Sequence, residues 1–377
     1  MSTIRRLHEL GQSVWLDFIS RELIETGELS QLIEQDEVRG VTSNPTIFEA
    51  AIAGTDQYSE QLRAQAEEGW SSDKILDDLI ITDIRAAADA FLPLYEKTNG
   101  ADGYVSVEVN PELADDTHGT LDEVHRLWKS ADRKNVMIKI PATRAGIHAI
   151  QQAINDGINV NVTLIFSLER YGDVMEAYLA GLVSRVDKGE KIDTVASVAS
   201  FFVSRVDSAM DVLLESISGG ESRRAAEASN LMGKAAIANA KLAYEQFEAF
   251  FNSERFARLR DQGARLQRPL WASTSTKNPA YPDTYYVDNL IGPHTVNTIP
   301  PDTLEAFRDH GVVGLTLEKD IDKAREVISQ IENLGISMSE VTDQLELEGV
   351  AKFAKSYENL RATVTNQVTT VLTQKRS

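Results

Sequence analysis

The sequence contains no cysteine. That excludes disulfides, thiolate metal sites and a cysteine nucleophile, and a reducing compartment such as the cytoplasm is the expected setting. Long apolar runs are missing too. No stretch of about 18 apolar residues occurs, so no segment is expected to span a membrane. The opening MSTIRRLHEL lacks the apolar core of a secretory leader. Positive charge is scarce: 38 Lys and Arg stand against 58 Asp and Glu, for a net charge of −20. Such a chain is expected to be soluble and to avoid nucleic acid. If it handles phosphates, it has to gather its few cations in one place. The six histidines (His8, His118, His125, His148, His294 and His310) show no HExxH or comparable ligand spacing, so no metal site is expected.

What the chain does have is a recurring unit, a short β-like run followed by helical sequence. Its 377 residues, 42% of them apolar, suffice for one large domain or two ordinary ones. The runs are Ser13–Phe18, Gly40–Asn44, Tyr104–Val109, Asn135–Ile140, Asn159–Phe166, Thr194–Phe202, Pro269–Thr274 and His294–Ile299. The segments between them carry 3.6-residue periodicity, as in Ala145–Asn155, Leu168–Val186 and Glu221–Phe251. Eight strands alternating with helices predict an α/β fold, a single closed (β/α)8 TIM barrel. An open doubly wound sheet is the competing architecture, but no GxGxxG turn follows the first strand. An extra helix is expected over Met1–Gly11, and further helices over Asp320–Leu334 and Glu346–Leu372. Residues 1–377 are thus read as one barrel domain with a C-terminal helical extension from about residue 320.

Alternation inside the strands identifies the interior face, because a barrel strand shows one face to the helices and the other to the centre. Val14, Leu16 and Phe18 leave Trp15 and Asp17 inside. Val105, Val107 and Val109 leave Tyr104, Ser106 and Glu108 inside. Val136, Ile138 and Ile140 leave Met137 and Lys139, and the valines of the fifth run leave Asn159, Asn161 and Thr163. Asp17, Asn44, Glu108, Lys139 and Thr163 therefore sit near the C-terminal ends of different strands, where barrel enzymes build their active sites.

Lys139 lies in the apolar run NVMIKIPAT. An ammonium is expensive to bury; burial favours the free amine, a nucleophile for carbonyl carbon. The resulting imine is an electron sink for carbon–carbon cleavage. For a lone strand lysine, a structural ion pair with Glu108 or Asp17 is the plainer explanation. Four further polar groups at the same level favour catalysis. Retro-aldol chemistry needs a base for a hydroxyl and a proton shuttle for dehydration, and two carboxylates in unlike environments can divide those tasks.

The segment GVTSNPTIF at Gly40–Phe48 resembles the first signature of the transaldolase family, and VMIKIPATRAGI at Val136–Ile147 resembles the second, with Lys139 in the position of the Schiff-base lysine. The resemblance places the family's aspartate on Asp17 in WLDF and its glutamate on Glu108 in SVEV. Asn161 and Thr163 follow in NVTLIFS, and Ser200, Phe202 and the phosphate-binding Arg205 in SFFVSR. The match is sharp from Asp17 to Arg205, weaker to about residue 300, and helical beyond. In one place the chain departs from the pattern. Where a serine followed two residues later by an arginine is expected, the sequence reads WASTSTKNP, so Ser273 and Lys277 are taken as the phosphate contacts. The chain is also similar to the transaldolase half of bacterial proteins fused to a sugar-phosphate isomerase, without room for the second enzyme.

The resemblance implies an enzyme of the non-oxidative pentose phosphate pathway, cytoplasmic, with sugar phosphates as partners and no metal or organic cofactor. A dihydroxyacetone unit would pass from sedoheptulose 7-phosphate or fructose 6-phosphate to glyceraldehyde 3-phosphate or erythrose 4-phosphate. Lys139 would form the imine, Asp17 would deprotonate the C4 hydroxyl, and Glu108 would shuttle protons through a water held by Thr163. Asn44, Asn161 and Ser200 would hold hydroxyls, and Phe202 would keep water out. Each substrate contact has a structural alternative: Arg205 pairing with Asp207 or Asp211, Phe202 as plain core, Asn44 as a turn residue. An aldolase releasing free dihydroxyacetone and a non-catalytic sugar-phosphate-binding barrel are the competing functions. A homodimer is compatible with all of these readings.

Overall fold

The computed structural model describes residues 2–219 and 222–374. Eight parallel strands close in sequence order into a barrel. They are β1 (Gln12–Leu16), β2 (Gly40–Val41), β3 (Tyr104–Glu108), β4 (Val136–Pro141), β5 (Val160–Ile165), β6 (Ser197–Phe202), β7 (Arg268–Ala272) and β8 (Thr295–Ile299). The ring closes where β1 pairs with β8 from Gln12↔Thr295 to Leu16↔Ile299. Each expected run contributes one strand, and helices follow the strands, as a right-handed β–α crossover requires. No helix among the described residues is long and apolar enough to cross a membrane.

Several ends differ from expectation for identifiable reasons. β2 stops at Val41 rather than Asn44, because Asn44 caps the helix Pro45–Ala53: its Oδ1 accepts from Ile47 N at 3.1 Å and Pro45 occupies the first turn. β7 stops at Ala272 because Ser273 turns into the left-handed region, φ 57°. β5 contains an irregularity between Val162 and Ile165 in its register with β6, centred on Leu164 at φ 59°. β6 begins at Ser197, three residues later than Thr194.

The helix expected over Glu221–Phe251 is two helices, Arg223–Leu231 and Ala235–Phe251; Glu221 itself lies outside the described residues. Between them Gly233 takes φ 70°, and two buried carboxylates hold the break open. Asp211 accepts from Gly233 N at 2.9 Å and Asp207 from Ala236 N at 2.7 Å. Periodicity continues across such a break, so pattern alone does not reveal it. The leading helix is Thr3–Glu9, with Met1 outside the described residues. The last helix starts well before Glu346 and spans Met338–Gln374; its first turn is capped by Ser337 Oγ, which accepts from Glu340 N at 3.2 Å. It ends at Gln374, two residues beyond the expected Leu372, and residues 375–377 lie outside the described residues.

The barrel interior is layered as the alternation predicts. Toward the N-terminal end Trp15 and Tyr104 pack with ring centroids 6.2 Å apart. Above them a polar layer runs through Ser106, Asn161 and Ser200: Ser200 Oγ donates to Asn161 Oδ1 at 2.7 Å, and Asn161 Nδ2 donates to Ser106 Oγ at 3.0 Å. Register then stacks the upper layer, with Glu108 beside Lys139 and Pro141 beside Thr163. The last helix, Met338–Gln374, packs on Pro45–Ala53, Ser59–Glu67, Ser72–Lys97 and β5. It thereby reaches the barrel mouth.

The strand that carries Lys139 is held tightly by the helix after it. A Cβ on Gly146, in the first turn of Arg144–Asn155, would lie 2.0 Å from Pro141 O. Backbone cannot yield as a side-chain tip does, so the helix would have to move off β4. Gly146→Ala is expected to destabilise the protein by about 3 kcal/mol, the upper part of the overpacking range, read as a lowered midpoint in urea denaturation. An unchanged midpoint would show that this contact tolerates displacement.

Candidate active site

At the C-terminal ends of the strands lies a cavity of about 330 Å³. Asp17, Asn44, Lys139, Thr163, Ser200, Phe202, Arg205, Ser273 and Lys277 all line it. Glu108, beside Lys139 in the same layer, does not line the cavity and reaches it through Lys139. Asn161 is fully buried and does not reach the cavity wall. Both ends of its amide are engaged by Ser200 and Ser106, so its place is to fix Ser200.

Lys139 is 4% exposed. Its Nζ lies 3.3 Å from Glu108 Oε2 and donates to the carbonyl oxygen of Ser43 at 3.2 Å. The ion pair with Glu108 is thus present, without the geometry of a hydrogen bond: Glu108 Oε2 has no hydrogen-bond partner in the protein, and neither has the buried hydroxyl of Thr163. Burial pushes the Glu108 carboxyl above its ordinary value, and Lys139 opposes the rise.

Asp17 follows the end of β1 and faces the cavity. Its Oδ1 accepts from Thr42 Oγ1 at 2.7 Å, and Thr42 Oγ1 in turn lies 2.6 Å from Thr298 Oγ1. Desolvation by the surrounding barrel raises the Asp17 carboxyl; Lys139, the Thr42 hydrogen bond, Lys277 and Arg205 pull it back only in part. Two carboxyls with raised pKa therefore flank one amine, one behind it and one across the cavity. That is an arrangement for moving protons.

Arg205 does not pair with Asp207 or Asp211, which are occupied in holding the break before Ala235–Phe251. Its guanidinium carbon lies 5.1 Å from the Phe202 ring and 5.8 Å from that of Phe353. Among the described residues it forms no ion pair. Burial lowers its pKa, opposed by Asp17, Glu108 and Glu348. Phe202 is both core and wall, packing 5.2 Å from Phe166 while it lines the cavity. Asn44 is likewise both helix cap and lining residue; the cap uses its oxygen and leaves its Nδ2 donors. Ser273 Oγ lies 2.9 Å from Ser204 Oγ, and Lys277 Nζ donates to Ser275 Oγ at 2.6 Å. Among the described residues no group of three or more His, Cys, Asp or Glu is placed to hold a metal ion.

Sequence reasoning missed four kinds of participant. Thr42 and Thr298 orient Asp17, Ser106 anchors Asn161, Ser43 presents a carbonyl to Lys139, and Lys352 and Phe353 reach the cavity from the last helix. Thr42 and Ser43 lie inside GVTSNPTIF and Ser106 on the interior face of β3, so their positions carried a signal. Lys352 and Phe353 carried none, because helical periodicity does not say where a helix docks.

Residues 14–364 match the sequence family described as transaldolase/fructose-6-phosphate aldolase. A transaldolase of Thermobifida fusca is 50% identical over 368 residues, covering 97% of this chain and 98% of that protein. A transaldolase of Parafrankia sp. is 50% identical over 363 residues, 96% of this chain and 97% of that protein. A transaldolase of Trichodesmium erythraeum is 46% identical over 360 residues, 94% of each chain.

The raised carboxyl of Asp17 has a consequence for stability. A carboxyl that binds its proton more tightly folded than unfolded costs stability once pH exceeds its unfolded value, and the full cost applies above its folded value. Asp17→Asn, which keeps the acceptor for Thr42, is expected to melt at or above the wild type at neutral pH. The advantage should shrink as pH falls toward about 4, the ordinary aspartate range. Melting far below wild type at neutral pH would instead mark Asp17 as the structural partner of Lys139, since stripping a buried cation of its partner costs about 3–5 kcal/mol.

Proposed function

The chain belongs to the transaldolase/fructose-6-phosphate aldolase family, and from that premise we propose a Schiff-base mechanism centred on Lys139. Its activity is that of a transaldolase, and its substrates are sugar phosphates. The observation that carries the mechanism is the position of Lys139: an amine buried at the mouth of the barrel, 3.3 Å from one carboxylate and facing a cavity with another.

The free-base form of Lys139 attacks C2 of a ketose phosphate, sedoheptulose 7-phosphate or fructose 6-phosphate. Glu108 then protonates the departing hydroxyl of the carbinolamine, and water leaves as the iminium forms. The orphaned Thr163 hydroxyl and Glu108 Oε2 support a water-mediated route for that proton. Asp17 removes the C4 hydroxyl proton. The C3–C4 bond breaks, its electron pair flows into the iminium, and an aldose phosphate departs. The three-carbon enamine stays on Lys139, with Ser200 and Asn44 holding its hydroxyls and Asn161 aligning Ser200. Glyceraldehyde 3-phosphate or erythrose 4-phosphate accepts the fragment as the same steps run in reverse. Water then hydrolyses the iminium and frees the lysine. Phe202 limits earlier access of water, which favours transfer over release of free dihydroxyacetone. Arg205, Ser273 and Lys277 receive the phosphate. The strands, the helix before β1 and the helices after β8 act in this reading as one catalytic domain of a cytoplasmic enzyme, whose net charge of −20 favours solubility.

Borohydride trapping tests the scheme. Lys139→Ala should lose both the trapped adduct and turnover. Asp17→Ala should still be trapped with fructose 6-phosphate, while turnover falls by roughly 10²–10⁴-fold, as for a lost general base. Peptide mapping of the adduct to any lysine other than Lys139 would overturn the assignment. Product analysis with and without an acceptor aldose separates transfer from simple aldol cleavage.

A further inference from the structure

The cations around the cavity do not follow the charge pattern of the rest of the molecule. With 58 acidic residues against 38 basic ones, a cation on this surface is easily matched. Lys355, a turn from the barrel mouth on the last helix, pairs with Glu358 at 2.7 Å, and Arg361 pairs with Asp73 at 3.1 Å. Lys352, on the same helix, lines the cavity and has no ion-pair or hydrogen-bond partner among the described residues. It shares the wall with Arg205, also unpaired, and Lys277, held only by a serine hydroxyl. Their mutual repulsion registers on Lys277, whose pKa is lowered first by desolvation, then by Lys352 and Arg205, with Asp17 opposing.

The helix is set so that Lys352 has to face inward. Gly349 lets it settle on the mouth of β5, since a Cβ there would lie 2.9 Å from Leu164 Cδ2 and 3.6 Å from an Arg205 nitrogen. Phe353, 4% exposed, presents its ring 5.5 Å from Lys139 Nζ and 5.8 Å from the Arg205 guanidinium carbon. A buried Phe353 fixes the rotation of the helix and leaves its neighbour at the cavity rim. The carboxylate on the cavity wall, Asp17, is engaged by Thr42, and Glu348 on the same helix is engaged by Gln344. Arg205, Lys277 and Lys352 thus share one wall without a direct ion pair among the described residues; Asp17 on the same wall offsets their charge only in part, and an incoming anion that carries more than one charge stabilises them.

We propose that Lys352 is a substrate-binding residue: the last helix, outside the eight βα units, supplies a third cation to the phosphate pole alongside Arg205 and Lys277. The proposal rests on the reaction assigned above for the identity of the substrate, but not for the chemistry of the anion. Lys352 sits away from the reacting carbons, so it governs the binding of phosphorylated sugars and not imine formation.

The test uses the full chain with Lys352→Ala, Lys352→Arg and, as a control on the same helix, Lys355→Ala. Lys352→Ala should raise KM for fructose 6-phosphate by roughly tenfold, as for one charge-assisted contact at a partly solvated site. It should weaken binding of inorganic phosphate, measured by titration calorimetry, by a similar factor. Trapping with dihydroxyacetone, which carries no phosphate, should stay within about twofold of wild type, and Lys352→Arg should recover most of the affinity. Lys355→Ala should match wild type throughout. Equal losses for dihydroxyacetone and fructose 6-phosphate would overturn the proposal in favour of a structural role for the helix, and so would unchanged phosphate binding. If the wild type is not trapped by dihydroxyacetone, the Schiff-base reading fails on its own, while the phosphate titration of Lys352→Ala still decides this one.

Discussion

The structure depends most on keeping an amine inside a barrel without letting it become merely structural. Lys139 is enclosed by β3, β4 and the residues following β2, with Glu108 Oε2 at 3.3 Å and the Ser43 carbonyl at 3.2 Å. An apolar pair of similar volume would stabilise such an interior at least as well. The register that sets Glu108 beside Lys139 makes sense as a way of bringing an amine and a proton carrier to one level. Both carboxyls are raised by burial, which is destabilising at neutral pH and is the condition under which a carboxyl exchanges protons with substrate. Stability is given up here in return for reactivity.

Beneath that level the Ser106–Asn161–Ser200 chain turns the barrel interior into a rigid floor. Asn161 has its oxygen and its nitrogen engaged by different strands, so the Ser200 hydroxyl has one orientation available. At the rim the backbone leaves ideal geometry at Leu164 and Ser273, both in the left-handed region that non-glycine residues avoid. Each immediately follows or carries a group at the cavity: Leu164 follows Thr163 and supports Gly349, and Ser273 lines the wall. Strain held at two rim positions fits the tendency of unusual backbone to gather at functional sites.

Much of this was legible in the sequence, because a period of two is unambiguous when apolar residues mark the helix-facing side. Trp15, Asp17, Ser106, Glu108, Lys139, Asn161 and Thr163 all lie on the interior side that their strands predict. The signal faded where a residue's task is set by tertiary packing. Asn161 reads as a substrate contact, yet its amide is engaged by Ser106 and Ser200 and does not line the cavity, because alternation gives the face of a strand and not the depth at which a side chain stops. Glu221–Phe251 reads as one helix because nothing in its own pattern reveals that Asp207 and Asp211, from an earlier helix, capture the amides of Ala236 and Gly233. The run at Ser273 shows the opposite case. Its missing arginine was visible, but the cation that complements Lys277 comes from a helix about eighty residues further along, where Lys352 looks like any other surface lysine.

That division of sources explains how one site manages two incompatible electrostatic demands. In the proposed mechanism the covalent pole needs an amine and carboxyls shielded from bulk charge, and strands supply it, since residues on a closed barrel are fixed in depth and direction. The phosphate pole needs fixed positive charge on a molecule carrying −20, and placing it inside the strands would suppress the basicity of Asp17 still further. The helix after β6, the loop after β7 and the last helix supply it instead, bringing Arg205, Lys277 and Lys352 to the rim. The Phe353 ring lies 5.8 Å from the Arg205 guanidinium carbon and 5.5 Å from Lys139 Nζ, and the Phe202 ring lies 5.1 Å from the same guanidinium, so apolar surface stands beside Arg205 and the amine. In the proposed mechanism, low dielectric beside these rings preserves the reach of each charge toward bound substrate and disfavours entry of the water that would hydrolyse the intermediate.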